Sequence, residues 1–211
     1  MPALPDLQPP SGDPSRPFRL RTDRLLLLPL LGPDGLLDGG DGEDVLLDAV
    51  VSVVLSNPAF LATHEGSDGE VGSYDRSRLE RDLGVAAMDP LRIPFAVLQP
   101  GATTGVAARL GGVVGWGELL VEHPRDHVPW IGLLELHADA HGHGLGREAA
   151  QALVGWAREL PAPALRLGVD DGNDRAAAFW TACGFVPVDR RERDSPAGRL
   201  GVTVMEIATH A

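Results

Sequence analysis

The residues best suited to chemistry lie close together at 133–147, where an apolar strand ends, a glycine-rich turn follows and a helix begins. The turn and the start of the helix contribute His141, Gly142, His143, Gly144, Leu145, Gly146 and Arg147. Backbone N–H groups are unpaired at a helix N-terminus, where the helix dipole is positive, and glycines let an anion approach the backbone closely. We therefore expect this turn to bind an anion such as a pyrophosphate, with the histidines and the arginine as additional donors.

An ordinary strand-to-helix connection is the alternative interpretation, because such connections often contain glycine. The spacing Gly-x-Gly-x-Gly at 142–146 differs from the Gly-x-Gly-x-x-Gly fingerprint of dinucleotide-binding folds. The turn also follows several predicted strands instead of the first one. A dinucleotide-binding domain is therefore not predicted.

Composition narrows the possible chemistries. All 18 basic residues are arginine, and the absence of lysine excludes a P-loop nucleotide hydrolase and a Schiff-base or pyridoxal enzyme. The 30 acidic residues give a net charge of -12, which disfavours nucleic acid as a partner and favours a cationic small molecule or peptide. A single cysteine, Cys183, provides neither a disulfide nor a cysteine-based zinc site.

The chain is expected to form one domain over residues 18–211. Residues 1–17 are rich in proline and lack the apolar stretch of a signal peptide, so we expect a disordered or loosely docked tail. No apolar run is long enough to cross a membrane, and the expected location is cytoplasmic.

Hydrophobic patterning predicts the elements that position the turn. Helices are predicted over 44–55, 74–88, 144–160 and 173–183, with strand as an alternative for the first because of its β-branched residues. Strands are predicted within 18–31 and over 93–98, 106–110, 113–121, 130–136, 165–169, 185–188 and 202–207. The arginine- and acid-rich residues 190–194 are predicted to be a solvated loop. This order of elements indicates a mixed α/β sheet in one domain.

Two motifs together resemble the GNAT superfamily of acyl-CoA N-acyltransferases. Residues 141–146, His-Gly-His-Gly-Leu-Gly, look like its pyrophosphate loop, Arg/Gln-x-x-Gly-x-Gly/Ala. Residues 173–185 are similar to its Asn-x-x-Ala-x-x-Phe-Tyr-x-x-x-Gly-Phe. A weaker similarity at 20–25, Leu-Arg-Thr-Asp-Arg-Leu, points to the RimJ/RimL-like branch. The resemblance extends from Phe18 to the C-terminus, but residues 31–88 match nothing specific.

The resemblance implies a single-domain α/β fold with a mixed, mostly antiparallel sheet flanked by helices and splayed between its fourth and fifth strands. Acyl-CoA, most simply acetyl-CoA, would lie in that splay as the co-substrate. Leu134 and Leu136 would offer backbone hydrogen bonds to the pantetheine arm, and the amides of 142–146 would hold the pyrophosphate. Asn173 and Arg175 would lie near the other side of the cofactor.

The resemblance also implies a carboxylate on a central strand that removes a proton from the incoming ammonium group. Glu135 lies in an apolar strand next to the turn, and burial would raise its pKa toward that task. Glu118, on the preceding strand, is the competing candidate. For either residue, the alternative is a glutamate that faces solvent or pairs with an arginine.

Two positions depart from the family pattern. His141 stands where the family has arginine or glutamine, and because a neutral histidine carries no charge, we expect CoA binding to weaken as the pH rises above about 6.5. Trp180 stands where the family often has a tyrosine that protonates the leaving thiolate, and an indole is not a usable acid. The only tyrosine, Tyr74, lies in the unmatched region, and Cys183 is expected to pack in the core. The general acid is therefore water or is absent.

No metal site is predicted from the histidines. His137, His141 and His143 lie on a strand and a turn, whereas the i, i+4 spacing brings two histidines together only on a helix. His123 and His127 are expected to be solvated turn residues.

The predicted function is an acyl-CoA-dependent N-acyltransferase that acetylates a primary amine of a cationic small molecule or peptide by direct attack in a ternary complex. One alternative is a GNAT-like domain that binds acyl-CoA but catalyses weakly, as Trp180 suggests. A metal-dependent hydrolase is the other. Domains of this family often dimerise, so a homodimer is an open alternative to a monomer.

Overall fold

The computed structural model describes residues 18–32, 35–36, 41–65, 74–195 and 198–210, so the predicted tail at 1–17 lies outside the described residues. The strands are β1 (Leu20–Arg21), β2 (Leu26–Pro29), β3 (Leu31–Gly32), β4 (Gly35–Leu36), β5 (Arg92–Leu98), β6 (Val113–Leu120), β7 (Trp130–Leu136), β8 (Ala164–Asp170), β9 (Val186–Ser195) and β10 (Gly198–Ala208). The helices are α1 (Asp41–Leu55), α2 (Pro58–Glu65), α3 (Arg76–Ala86), α4 (Gly105–Arg109), α5 (Leu145–Arg158) and α6 (Asp174–Ala182), with a short 3-10 helix at Ala138–Ala140.

One eight-stranded sheet, in the order β1-β2-β5-β6-β7-β8-β10-β9, forms the centre of the described fold. All neighbouring strands are antiparallel except β7 and β8, which are parallel. The separate pair β3–β4 is a short antiparallel hairpin. The predicted class, a mixed and mostly antiparallel α/β sheet in one domain, is confirmed.

Strands β7 and β8 separate after their first two residue pairs, Trp130 with Arg166 and Ile131 with Leu167. The register between β6 and β7 shifts where β7 has the extra residue Gly132, and such a bulge bends its strand. A gap therefore opens beyond Ile131, as predicted. It lies between the fifth and sixth strands across the sheet, because the short strand β1 adds one strand at the edge.

Helices cover the sheet on two faces. Phe95 and Val97 on β5 belong to the large apolar cluster that contains α5, whereas Ala96 between them packs with α1 and α3. Successive residues of a strand point to opposite faces, so α5 lies on one face and α1 and α3 lie on the other. The buried residues of α5 recur at helical spacing: Leu145, Ala149, Ala150, Leu153, Val154 and Ala157.

The four predicted helices are confirmed as α1, α3, α5 and α6, and two other predictions are wrong. Residues 106–109 belong to the helix α4 instead of a strand: α4 begins after the extended residue Thr104, and the N–H of its C-cap Leu110 donates to Val106 O at 3.0 Å in the helical i to i−4 pattern. Residues 190–194 belong to β9 instead of a loop, since they pair in register with β10. Charged side chains are common on such an edge strand because they prevent pairing with another chain.

Candidate functional site

A cavity of about 940 Å³ lies where β7 and β8 separate. Its walls come from the α1–α2 junction, the end of β7, the glycine-rich turn with the start of α5, the end of β8 and the helix α6. Most of the predicted cofactor residues line it: Leu134, Leu136, His141, Gly142, Gly144, Gly146, Arg147, Asn173 and Arg175. His143 and Leu145 do not line this cavity. Leu145 is buried in the core, and the carbonyl of His143 accepts a hydrogen bond from Arg24 at 3.0 Å.

The backbone of β7 is open toward the gap. The N–H of His137 donates to the carbonyl of Val114 on β6 at 2.9 Å, and backbone polar groups alternate sides along a strand, so those of Leu134 and Leu136 point away from β6. The carbonyl oxygen of Leu136 is already occupied, since it accepts from Asn57 Nδ2 at 2.9 Å and lies 3.0 Å from His141 Nε2. The backbone of Leu134 has no such competitor among the described contacts.

The turn before α5 uses glycine where other residues would be strained. Gly142 and Gly144 have φ angles of 79° and 77°, in the left-handed region that favours glycine. Gly146, in the first turn of α5, packs closely, because a Cβ there would lie 3.4 Å from both Leu136 Cδ1 and the Phe179 ring. These glycines bring the N-terminus of α5 to the cavity with little side chain in front of it.

His141 is held as a neutral imidazole. Arg175 Nη2 lies 3.0 Å from His141 Nδ1, and because a guanidinium can only donate, Nδ1 must accept. Nε2 then carries the proton and donates to Leu136 O. Burial, with a smaller contribution from the Arg175 charge, lowers the pKa of His141 below its usual value, against the opposing hydrogen bond to Leu136. The residue therefore links β7 to α6 instead of adding a positive charge.

The second motif supplies a helix cap and a cation. Asn173 is the N-cap of α6, where its side chain accepts from the N–H of Ala176 at 3.1 Å, as asparagine commonly does at this position. Arg175 is exposed at the start of the same helix. Arg147 is also exposed, and its guanidinium donates to the carbonyl of Ala182 at the end of α6.

Glu135 is the buried acid of the site. Only 7% of it is exposed, Oε2 accepts from Trp116 Nε1 at 3.0 Å, and Oε1 is buried without a hydrogen-bond partner among the described residues. Burial raises the pKa of Glu135 to about 7, although the hydrogen bond from Trp116 acts in the opposite direction. A carboxyl with this pKa is partly ionised at neutral pH and has one oxygen free to accept a proton.

Glu118 lies elsewhere. It does not line the cavity, and its Oε1 is 3.1 Å from Arg92 Nη2 in an ion pair. Burial raises the pKa of Glu118, but the Arg92 charge opposes that rise. The structure therefore brings only one of the two candidate glutamates to the cavity.

The aromatic residues at the expected acid position form a packed cluster. Trp180 is 7% exposed and lines the cavity, and its ring lies 4.8 Å from that of Phe179 and 5.2 Å from that of Phe185. Tyr74 is far from this cluster in the packing, in the apolar cluster of α1 and α3, where its hydroxyl bonds Asp82 at 3.3 Å. Burial raises the pKa of the half-buried Cys183 thiol. Trp180 therefore offers no acid at this position, and the raised pKa makes the Cys183 thiol a weaker acid than a free cysteine.

Among the described residues, no group of three or more His, Cys, Asp or Glu side chains is arranged to hold a metal ion. His137 caps the short 3-10 helix by accepting from the N–H of Asp139 at 3.1 Å. The ring of His123 stacks on Trp130 at 4.5 Å, and His127 lies 2.7 Å from Glu122. The same part of the chain contains no helix long and apolar enough to cross a membrane.

Sequence reasoning missed Ser56 and Asn57 in the cavity wall, Trp116 beside Glu135, and Arg24 beside the glycine-rich turn. The side chain of Ser56 accepts from the N–H of Ala138 at 3.0 Å, and Asn57 bonds Leu136 O, so the α1–α2 junction is attached to the end of β7. In the sequence, Asn57-Pro58 signals only the end of a helix. These contacts join residues far apart in the chain, so no local sequence pattern predicts them.

Comparison with known proteins agrees with this geometry. The model of the acetyltransferase (GNAT) family matches residues 73–185, which is more than half of the chain, and the chain belongs to that family. No curated protein sequence matches it.

Similar solved structures share the fold at low sequence identity. A probable acetyltransferase of the GNAT family from Chromobacterium violaceum has a TM-score of 0.69 and 14% identity, covering 99% of this chain and 96% of that one. A ribosomal-protein-S5-alanine acetyltransferase from Vibrio fischeri has a TM-score of 0.63 and 12% identity, covering 91% and 97%. A spermidine N-acetyltransferase from Vibrio cholerae, solved with CoA and spermine, has a TM-score of 0.59 and 16% identity, covering 89% and 97%.

Proposed function

We propose that the protein is an acyl-CoA-dependent N-acyltransferase that transfers an acyl group, most simply acetyl, to a primary amine in a ternary complex. The observation that carries the proposal is Glu135, a buried carboxyl with a free oxygen, in the wall of a cavity that also contains a glycine-rich helix N-terminus. The proposed base and the proposed anion site thus share one cavity, as acyl transfer from a CoA thioester to an amine requires.

The cofactor is proposed to lie along the gap between β7 and β8. The pyrophosphate would accept hydrogen bonds from the turn amides at 142–146, where the helix dipole is positive. Arg175 and Arg147, both exposed near the turn, would add charge that the acidic chain otherwise lacks. The open backbone of Leu134 is the better candidate for pairing with the pantetheine amides, because Asn57 and His141 already occupy the carbonyl of Leu136.

Glu135 is the proposed general base. Its Oε1 would take a proton from the acceptor ammonium, and the free amine would attack the thioester carbonyl. The tetrahedral intermediate would then collapse, breaking the C–S bond and releasing the CoA thiolate. Because Trp180 cannot act as an acid, water would carry the second proton of the attacking nitrogen to the thiolate, so that a neutral amide and the CoA thiol result.

The proposed acceptor is a cationic amine. The net charge of -12 favours such a ligand, and a buried carboxylate at the site of attack favours an ammonium group. Two of the similar structures are named for amine acceptors, spermidine in one and a ribosomal-protein alanine in the other. A polyamine and a peptide N-terminus are therefore the first acceptors to test.

The test combines calorimetric binding of CoA with acetyl-CoA turnover over a panel of amines. We expect binding and turnover, and we expect Glu135→Gln to lower kcat by about a hundredfold or more while CoA binds as before. In the wild-type protein kcat/KM should fall as the pH drops below about 7, where Glu135 becomes protonated. The competing variant Glu118→Gln should retain most of the activity, and a larger loss there than in Glu135→Gln would contradict the assignment.

A second candidate function is an acyl-CoA-binding domain with weak catalysis, which Trp180 favours because it replaces an acid. Tight CoA binding without turnover on any amine of the panel would support that alternative and contradict the first.

A further inference from the structure

The turn of the β1–β2 hairpin is fastened to the start of α5. Arg24 donates to Glu148 twice, from its backbone N–H to Oε1 at 2.9 Å and from Nε to Oε2 at 2.6 Å. The hydroxyl of Thr22 donates to the same Oε1. The Arg24 guanidinium also reaches the carbonyl oxygen of His143, with Nη1 at 3.0 Å. One arginine therefore joins a carboxylate of α5 to the middle of the glycine-rich turn.

Glu148 places a negative charge in the first turn of α5. Although its burial acts in the opposite direction, the hydrogen bonds from Thr22 and Arg24 lower the pKa of Glu148, so the carboxylate is ionised at neutral pH. An uncompensated carboxylate at this helix end would repel a pyrophosphate bound to the turn. Arg24 compensates that charge at a distance of 2.6 Å.

The bond from Arg24 to His143 also orients a peptide of the turn. His143 lies between Gly142 and Gly144, which both have positive φ angles and so leave the intervening peptides few restraints of their own. In a trans peptide the C=O and the next N–H point in opposite directions. Holding the carbonyl of His143 toward Arg24 therefore directs the N–H of Gly144 away from Arg24. Gly144 lines the cavity and Arg24 does not.

We propose that Arg24 is a positioning residue for the cofactor turn, which cancels the charge of Glu148 and holds the turn with the N–H of Gly144 available to the pyrophosphate. The proposal rests on the proposed function, because it assumes that the turn binds CoA. The hairpin lies outside residues 73–185, so this contribution comes from a part of the chain that the family model does not match.

The experiment compares two acyl donors, acetyl-CoA and S-acetylpantetheine, which lacks the pyrophosphate. In Arg24→Gln we expect the dissociation constant of CoA and the KM of acetyl-CoA to rise about tenfold, as for the loss of a partly exposed charged hydrogen bond. The KM of S-acetylpantetheine should stay within about twofold, since the affected interaction involves the pyrophosphate only. The matched control is Arg199→Gln, which removes an exposed arginine 3.1 Å from Glu192 on the β9–β10 hairpin. This variant should leave the KM of both donors unchanged.

The double variant Arg24→Gln/Glu148→Gln tests the charge argument, and we expect it to recover most of the lost CoA affinity. If Arg24→Gln does not fold, Glu148→Gln alone decides, since it should bind CoA at least as tightly as the wild type. The proposal is overturned by unchanged CoA affinity in Arg24→Gln, by an equal loss for both donors, or by weaker CoA binding in Glu148→Gln. Wild-type protein that binds no CoA would instead overturn the proposed function.

Discussion

Glu135 combines two properties that conflict with each other at the scale of a single residue. Its burial makes it a better base near neutral pH, because the pKa rises to about 7. The same burial leaves Oε1 without a partner among the described residues, and an unpaired buried carboxylate destabilises the fold. The burial of Glu135 therefore has a cost to stability, which the proposed role as general base would account for.

That cost can be measured as a pH-dependent stability. Since the folded-state pKa is raised above its ordinary value, the protonated carboxyl favours folding, and this stability is lost as the pH rises through about 7. The difference amounts to about 3 kcal/mol at most. We expect Glu135→Gln to raise the Tm relative to the wild type more at about pH 8 than at about pH 5. An equal difference at both pH values in thermal melts would contradict the assignment.

His141 has a different environment from the one that the sequence suggested. The residue was expected to lose a useful charge above about pH 6.5. In the structure its pKa is lowered and Nδ1 accepts from Arg175, so it is already neutral at the pH where CoA would bind. Any effect of His141 titration on CoA binding should therefore appear below about pH 6.5.

The matching prediction uses a side chain that can make both hydrogen bonds. Glutamine has an NH2 group that can donate to Leu136 O and a carbonyl oxygen that can accept from Arg175, so His141→Gln should bind CoA within about threefold of the wild type, while His141→Ala should weaken binding about tenfold. The ratio of wild-type to His141→Gln affinity, measured by calorimetry, should be constant between about pH 7 and pH 8. Using a ratio removes the titration of the CoA phosphates. A ratio that falls steadily over that range would restore the original expectation.

At the scale of elements, the attachment of the α1–α2 junction to β7 is the contact that joins the two walls of the cavity. Asn57 Nδ2 donates to Val53 O at 3.0 Å and to Leu136 O at 2.9 Å, and it accompanies the Ser56 contact with Ala138. The helices on one face of the sheet are thereby connected to the strand that carries Glu135.

Removing this attachment should affect both stability and activity. We expect Asn57→Ala to lower the free energy of unfolding by about 1–2 kcal/mol and to lower kcat/KM, because the end of β7 loses a fixed partner. Ser52→Ala is the matched control, since the Ser52 hydroxyl bonds only within α1, to Asp48 O at 3.1 Å. Denaturant unfolding and turnover measure the two effects. Equal behaviour of the two variants would show that the attachment does not act on the site.

At the scale of the whole molecule, the net charge should act in opposite directions on the two proposed ligands. The chain has a net charge of -12, so its overall field would attract the proposed cationic acceptor and repel anionic CoA. Arginines on α5 and α6 oppose that field only near the turn, where Arg147 and Arg175 line the cavity.

The two ligands should therefore respond to salt in opposite directions. Raising the ionic strength from about 0.05 M to about 0.5 M should raise the KM of a polyamine acceptor several-fold, and should lower or leave unchanged the KM of acetyl-CoA. Steady-state kinetics over a salt series with a neutral salt measures both values. An increase in both KM values would show that local arginines outweigh the net charge for the cofactor.

Local features of this protein were determined by its sequence. The turn at 142–146 depends on the conformations that glycine allows, and the helix after it depends on the residues at its start. Both features are set by residues adjacent in the sequence. The family motifs at 141–146 and 173–185 are short for the same reason. The two wrong predictions also concern local features. The short apolar run at 106–110 is compatible with a helix or a strand, and the charged residues at 190–194 are compatible with a loop or an edge strand.

Only the tertiary structure placed Glu135 at the cavity and Glu118 away from it, and identified the partners of the turn. Both glutamates lie on central strands, and what separates them is burial at the cavity in one case and an ion pair with Arg92 in the other. The contacts of Arg24 with Glu148 and of Asn57 with Leu136 join residues 124 and 79 positions apart. A pKa and a long-range hydrogen bond depend on which atoms surround a group in space, and the order of residues along the chain does not contain that information until the chain has folded.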